Sequence, residues 1–249
     1  MSKISKIPKK IFQTWSKKEI SNGFQQIVDF WKILNPEYEY FLYDNNDCEI
    51  FIKKNFEEKI YNAYCKIIPG AFKADLWRYC VLYKYGGVYV DIDTLCLSGI
   101  DKFLTEETEF MVPIDLNTNP AEGQHNLFNT FIASSPGNPI LLNAIERISY
   151  NVENNIIPRS KLDFCGPGLL GMAANKTLGR HDTDSFVGLE GKHGKIHFLK
   201  FEPYLEIVRD IDGNILLQNK NGNPLLECLY YMECKKTDNY KSWLSMNPI

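Results

Sequence analysis

Two aspartates one residue apart, Asp91 and Asp93, follow the short apolar run Val88-Tyr89-Val90, and an acid and an arginine, Asp75 and Arg78, stand three apart in the apolar segment just before it. These four residue types in this order suit a site for a metal ion and a phosphate ester. Paired carboxylates are the hard oxygen ligands taken by Mg²⁺ and Mn²⁺, which retain waters and complete their shell from substrate phosphates. Arginine's planar fork suits directed contacts to phosphate and other polar groups. Two further D-x-D triplets lack this context. Asp210-Ile211-Asp212 runs into Gly213-Asn214 between apolar stretches, the pattern of a hairpin turn. Asp182-Thr183-Asp184 lies in a polar stretch after His181 with no apolar strand before it, and is read as structural.

The elements that must position the four residues are legible. Residues 70–85 form an apolar helical segment in which Lys73 and Lys84 fall about 20° apart at about 100° per residue, marking the solvent line. Asp75 and Arg78 then project about 130–160° away, toward the interior. Buried charges persist only when paired or bound, so either these two pair with each other or a polar ligand meets them. Gly86 suits the left-handed position that ends a helix, Gly87 releases the chain, and a strand over 88–92 follows. Within a strand, residues two apart face one way, which would aim Asp91 and Asp93 at one point.

Around this unit the chain alternates. Strands are expected over 10–15, 38–43, near 109–113 and over 127–133. Helices are expected over 22–34, 45–54, near 56–65, and over 138–151 and 168–177, with a β-rich tail from 196 to 231. This alternation reads as an α/β sheet protein, and residues 1–249 as one catalytic domain. The Gly/Pro/Asn-rich stretch 115–126 is long and polar enough to be a mobile loop over a site.

The segment Lys73-Ala74-Asp75, Arg78, Leu82-Tyr83, Tyr85-Gly86-Gly87-Val88-Tyr89, Asp91-Ile92-Asp93 resembles the DXD sugar-binding region of family 32 glycosyltransferases, which include yeast-type α-mannosyltransferases and capsule-synthesis enzymes. It is similar in layout to the nucleotide-sugar site of the large clostridial glucosylating toxins. Ile7 to Trp15 resembles the family's opening strand, with Phe12 where a His is more usual. Trp31 with Asn35-Pro36-Glu37-Tyr38-Glu39-Tyr40, Asn129 with Ser135-Pro136-Gly137-Asn138-Pro139, Gly166-Pro167-Gly168 and Ser242-Trp243 resemble later landmarks in the family's order.

This resemblance implies a GT-A type, Rossmann-like nucleotide-sugar-binding domain with a mixed central sheet and a β-rich C-terminal part. The implied reaction is metal-dependent, retaining transfer of a hexose from a UDP- or GDP-sugar to a glycan, lipid or protein-linked acceptor. Asp93 would carry Mn²⁺ or Mg²⁺, and Asp91 would lie nearer the ribose or a second metal position. Asp75 and Arg78 would meet donor-sugar hydroxyls, Arg78 also near phosphate. Gln13, Thr14 and Trp15 would line the nucleotide, with Trp15 as a base-stacking platform. Ser242 and Trp243 would close over the phosphates, and Asn239 or Ser242 would supply the third metal ligand, in a region where relatives often carry a His. The departing phosphate oxygen would take the acceptor's proton in a front-face reaction.

Composition excludes other classes. The chain is 44% apolar and 24% charged with a formal net charge of −3, so it has no basic field for nucleic acid. Seven cysteines without a C-x-x-C oppose both a disulfide framework and a zinc knuckle, and point to a reducing compartment. No signal-peptide or membrane-length apolar run precedes the first strand; many eukaryotic members of the family it resembles are Golgi proteins with an N-terminal anchor, so the resemblance implies a cytoplasmic enzyme of microbial or viral origin. His193 and His197 read as a turn entering a strand rather than a metal face, and His125 lies in the polar loop. Two alternatives stay open. Val90-Asp91-Ile92-Asp93-Thr94 also fits the opening motif of aspartyl-phosphate phosphatases, although no later adjacent Asp pair follows it. The other is a non-catalytic sugar-nucleotide-binding protein on the same fold.

Overall fold

In a computed structural model, which describes residues 5–115, 123–158 and 160–220, apolar periodicity builds the expected alternation. Strands β1 (Lys10–Thr14), β2 (Glu39–Tyr43) and β3 (Gly87–Val90) are parallel in the order β2-β1-β3. Helices α1 (Asn22–Leu34), α2 (Asn45–Asn55), α3 (Glu58–Lys66) and α4 (Gly70–Tyr85) make the connections between them. Next come β4 (Leu95–Cys96), β5 (Phe110–Ile114), β6 (Phe131–Ser134), α5 (Pro139–Glu153) and α6 (Pro167–Thr177). Strands β7 (Gly191–His193), β8 (Ile196–Glu202), β9 (Ile207–Arg209) and β10 (Ile215–Gln218) complete the described chain.

All ten strands join one mixed sheet, ordered β2-β1-β3-β6-β5-β8-β9-β10-β4, with β7 added at β8. One helical crossover leads from β1 to β2 on one side and a longer one returns to β3 on the other. The crevice at the carboxyl ends of β1 and β3 is therefore a topological switch point, where open α/β sheets bind ligands. The sheet also curls. Strand β4 is paired at the far end from β3, yet only four residues separate Val90 from Leu95. An extended chain covers at most about 3.6 Å per residue, so the far edge must come back to within about 18 Å of β3.

Both faces of the sheet are covered, which explains why its strands read as nearly continuous apolar runs. Val88, Val90, Met111 and Phe131 pack with Phe24 and Trp31 of α1 on one face. Tyr89, Phe110 and Val112 pack with Trp77 and Tyr79 of α4 and with α5 and α6 on the other. Helix α4 is buried without interruption from Asp75 to Leu82. It stops where Gly86 takes φ 64° and donates its N–H to Leu82. A Cβ there would lie 2.7 Å from Pro136, so the site admits neither the conformation nor the bulk of another residue.

Two expected strands are corrected. The strand over 88–92 ends at Val90, because Thr94 donates its N–H to the Asp91 carbonyl at 3.2 Å and closes a turn. The strand over 127–133 begins at Phe131; Leu127 makes a single bridge to Ile114, and Phe128 turns back to the Pro113 carbonyl. Asp210 and Asp212 do lie in the β9–β10 hairpin. There the Asp210 carboxylate accepts from the Asn214 N–H at 2.9 Å and its side-chain amide at 2.8 Å. Asp182 is an ion-pair partner of Arg147 at 2.7 Å. Most of the polar stretch 115–126, and the tail beyond 220, lie outside the described residues.

Candidate functional site

The acidic turn at Asp91–Thr94 is pinned from several elements. Asp91 donates its N–H to Thr130 at 2.9 Å, and its carbonyl accepts from the Gln13 side chain of β1 at 3.2 Å. Trp31 of α1 donates its indole N–H to the Thr94 carbonyl at 2.7 Å. A short turn carrying two carboxylates thereby gains a fixed backbone at the mouth of the switch-point crevice.

Helix α4 delivers Asp75 and Arg78 to the same place, both less than a tenth exposed. The alternatives left open by their inward direction are decided in part: they pair with each other, Arg78 Nη2 lying 3.3 Å from Asp75 Oδ1, and the network runs on. The same nitrogen is 3.2 Å from Asp91 Oδ1, Nη1 donates to the Asn129 carbonyl at 2.6 Å, and the guanidinium stacks 4.3 Å from the Tyr89 ring centre. Asp75 also accepts from the Asn129 amide at 2.8 Å and from the Cys165 thiol at 3.1 Å. Tyr89 donates its hydroxyl to Asp91 at 2.5 Å. Arg78 is thus a buried hub between Asp75 and the acidic turn.

Burial and partners set the charges. Burial pushes the Asp75 carboxyl up to about 6 against the pull of Arg78, whose charge is shared with Asp91. Burial opposes the charge on Arg78, but Asp91, Tyr89 and Asp75 outweigh it and raise its pKa further. Burial also raises the Asp93 carboxyl, opposed first by Lys220, whose ammonium lies 2.6 Å from Asp93 Oδ2.

The other oxygen, Asp93 Oδ1, is buried and has no hydrogen-bond partner among the described residues. An orphaned carboxylate oxygen beside a second, 30% exposed carboxylate at Asp91 fits a hard divalent cation. Among the described residues no group of three or more His, Cys, Asp or Glu is placed to hold a metal. Asn239, Ser242 and Trp243, the expected third ligand and closing pair, lie outside the described residues. Asp91 and Asp93 stand on a turn rather than within one strand, and each contacts a different cation of the chain, Arg78 and Lys220.

The β1 residues divide. Gln13 is fully buried, accepting from the Tyr40 hydroxyl at 2.7 Å while it supports the Asp91 carbonyl. Its side chain thus buttresses the acidic turn from β1. Thr14 donates to the Tyr43 carbonyl at 2.9 Å. Trp15, just past the strand end, is half-buried with its ring edge-on to Phe24 at 5.1 Å. Sequence reasoning missed Tyr79, Cys165 and Lys220 and gave Asn129 no place in the site. Tyr79 was recoverable: four residues beyond Asp75, its hydroxyl shares the inward face and meets the Asn129 amide at 3.0 Å.

Residues 21–110 match the family described as glycosyltransferase sugar-binding region containing DXD motif. The initiation-specific alpha-1,6-mannosyltransferase of Schizosaccharomyces pombe is 30% identical over 187 residues, covering 66% of this chain and 46% of that protein. Inositol phosphoceramide mannosyltransferase 2 of the same yeast is 29% identical over 154 residues, 61% of this chain and 41% of its own length. The chain thus spans less than half the length of these curated relatives. Among solved structures, PaToxG Glycosyltransferase superposes with a TM-score of 0.56 at 22% identity over 70% of each chain, a likeness of fold. Residues 21–110 thus match a glycosyltransferase sugar-binding region of the DXD type, similar to that of family 32, and the mixed α/β sheet that carries them is of GT-A type.

Proposed function

We propose that this chain is a metal-dependent, retaining glycosyltransferase that moves a hexose from a nucleoside diphosphate sugar to a glycan, lipid or protein-linked acceptor, within one catalytic domain. The observation that carries the reading is the orphaned Asp93 oxygen beside the Asp75–Arg78–Asp91 network at a switch-point crevice. Carboxylates repel a diphosphate unless positive charge stands between them, and a metal ion is the cation this reading adds to Arg78 and Lys220. A divalent ion on Asp93 and Asp91, Mn²⁺ or Mg²⁺, would neutralise charge on the leaving diphosphate.

The chain's own residues do the rest. Asp75 accepts hydrogen bonds from hydroxyls of the donor sugar, and Arg78, shared between Asp75 and Asp91, holds both carboxylates in register and offers its charge to the diphosphate. Gln13 and Trp31 keep the turn from moving as charge develops, so stabilisation is preorganised rather than purchased at each turnover. Trp15 is the base platform at the end of β1, beside Thr14. In the front-face reaction the departing phosphate oxygen takes the acceptor's proton, and no described side chain need act as nucleophile. The names of the relatives make mannose the first hexose to test. A cytoplasmic setting is our reading, in keeping with five described cysteines that are all free thiols. No helix of the described residues is long and apolar enough to cross a membrane.

The test is a thermal-shift panel of UDP- and GDP-sugars with Mn²⁺ or with chelator. A donor at a hundred times its dissociation constant adds about 2.7 kcal/mol, or roughly 5–10 °C for a chain of this size. One donor class should give this shift in Mn²⁺ alone and release sugar slowly to water. Equal shifts in chelator would remove the metal from the reading, and no shift with any donor would remove the reading itself. Phosphate release from simple phosphomonoesters would instead favour the phosphatase alternative.

A further inference from the structure

The cation already on Asp93 belongs to the chain. Strands β4 and β10 pair antiparallel with Leu217 opposite Cys96 and Gln218 opposite Leu95, and continuing that register by two residues sets Lys220 opposite Asp93. The placement is anchored on the β10 side. The Asn219 N–H donates to the Glu206 carbonyl at 2.7 Å, the Asn219 amide donates to the Glu206 carboxylate at 3.1 Å, and the Lys220 N–H donates back to Asn219 Oδ1 at 2.9 Å. The ammonium end lies 2.6 Å from Asp93 Oδ2, and its side chain is 21% exposed where that of Asp93 is 6%. Lys220 is therefore the more exposed partner of the pair and covers the buried acid of the acidic turn.

We propose that Lys220 is a donor-binding residue that exchanges partners. Before the donor enters, its ammonium neutralises Asp93 and keeps the acidic turn from repelling an anion. When a divalent cation occupies Asp93, Lys220 gives up that carboxylate and turns its three N–H donors to the oxygens of the incoming diphosphate. A lysine is suited to this because its charge is compact and its stem has four rotatable carbons, so it follows a phosphate that an arginine fork would have to meet in one geometry. No covalent bond is made and no proton leaves the ammonium. The inference rests on the nucleotide-sugar reading of the site, and it concerns which residue of the chain holds the diphosphate.

Two measurements on the full chain test it. The first compares wild type with Lys220→Met for Mn²⁺ affinity, by electron paramagnetic resonance of free Mn²⁺, and for UDP and GDP affinity in saturating Mn²⁺, by calorimetry. Losing a charge-assisted contact should weaken the better nucleotide roughly ten- to a hundredfold, while Mn²⁺ binds more tightly for want of a competitor. Unchanged nucleotide affinity, or weaker Mn²⁺ binding, overturns the proposal. The second uses wild type alone, so it stands even if Lys220→Met folds poorly: acetylation of Lys220 by a water-soluble ester, read by mass spectrometry. Mn²⁺ should raise its reactivity, and Mn²⁺ with the nucleotide should lower it again; a reactivity indifferent to both overturns the proposal. A wild type that binds neither nucleotide strikes the functional reading, whereas a wild type that binds and a variant that binds equally strike Lys220 only.

Discussion

Replacing Arg78 by lysine keeps a cation on α4 and removes the fork, and the outcome separates a donor site from a buried ion pair. Arg78 contacts the Asn129 carbonyl at 2.6 Å, Asp91 at 3.2 Å, Asp75 at 3.3 Å and the Ala74 carbonyl at 3.3 Å. A lysine ammonium on the same stem meets Asp75 or Asp91, and leaves the other carboxylate and the Asn129 carbonyl short of a donor. One or two lost charge-assisted hydrogen bonds amount to about 2–5 kcal/mol. For a chain of this size that lowers the melting temperature by roughly 5–15 °C, which leaves the variant folded at assay temperature. The assay pairs that melting temperature with donor hydrolysis per folded molecule and with nucleoside diphosphate affinity. If Arg78 orients the donor sugar through Asp75, hydrolysis per folded molecule falls about a hundredfold or more, the scale of losing one oriented donor, while nucleotide affinity falls by less than about tenfold. A melting temperature that drops as calculated with an unchanged rate per folded molecule would refute the argument and leave Asp75 and Arg78 as a structural pair.

Asp93→Asn should abolish metal-dependent nucleotide binding and transfer yet leave the fold intact, since a buried carboxylate of raised pKa gives way to an isosteric amide; calorimetry with wild-type affinity would sink the central assignment. Asp210→Ala removes a hairpin cap bonded twice to Asn214, so about 1 kcal/mol of stability should go, as for other capping residues, with activity per folded molecule unchanged. The Asp75 carboxyl sits at about 6 in the fold against an ordinary 3.8, so the native state holds its proton more tightly than the unfolded chain does. Its contribution to stability is then present below about pH 4 and is lost as pH rises to about 6, by roughly 3 kcal/mol. The stability difference between wild type and Asp75→Asn, from denaturant titrations at pH 4.5 and 7.5, should favour wild type more at the lower pH; a difference that is flat or grows with pH contradicts the burial argument.

Some of this site was written in short-range pattern. An apolar helix with lysines on one line and an acid and arginine opposite has only one way to bury itself, and Asp75 and Arg78 emerge less than a tenth exposed as that pattern requires. The Gly86-Gly87 stop and the β-branched run after it placed the acidic triplet at the end of an interior strand, because helix termination and strand propensity are local properties. What the turn's carboxylates then meet was not local. Asn129 stands 54 residues from Asp75, Cys165 stands 90 away, and Lys220 stands 127 from Asp93. The Gln13 side chain meets the Tyr40 hydroxyl of β2, 27 residues away. Periodicity reports which face of an element is buried and carries no information about which distant element covers it. That choice was made by the curl of the sheet, which returns its far edge to β3 and lays a lysine against an aspartate across a register no single segment encodes.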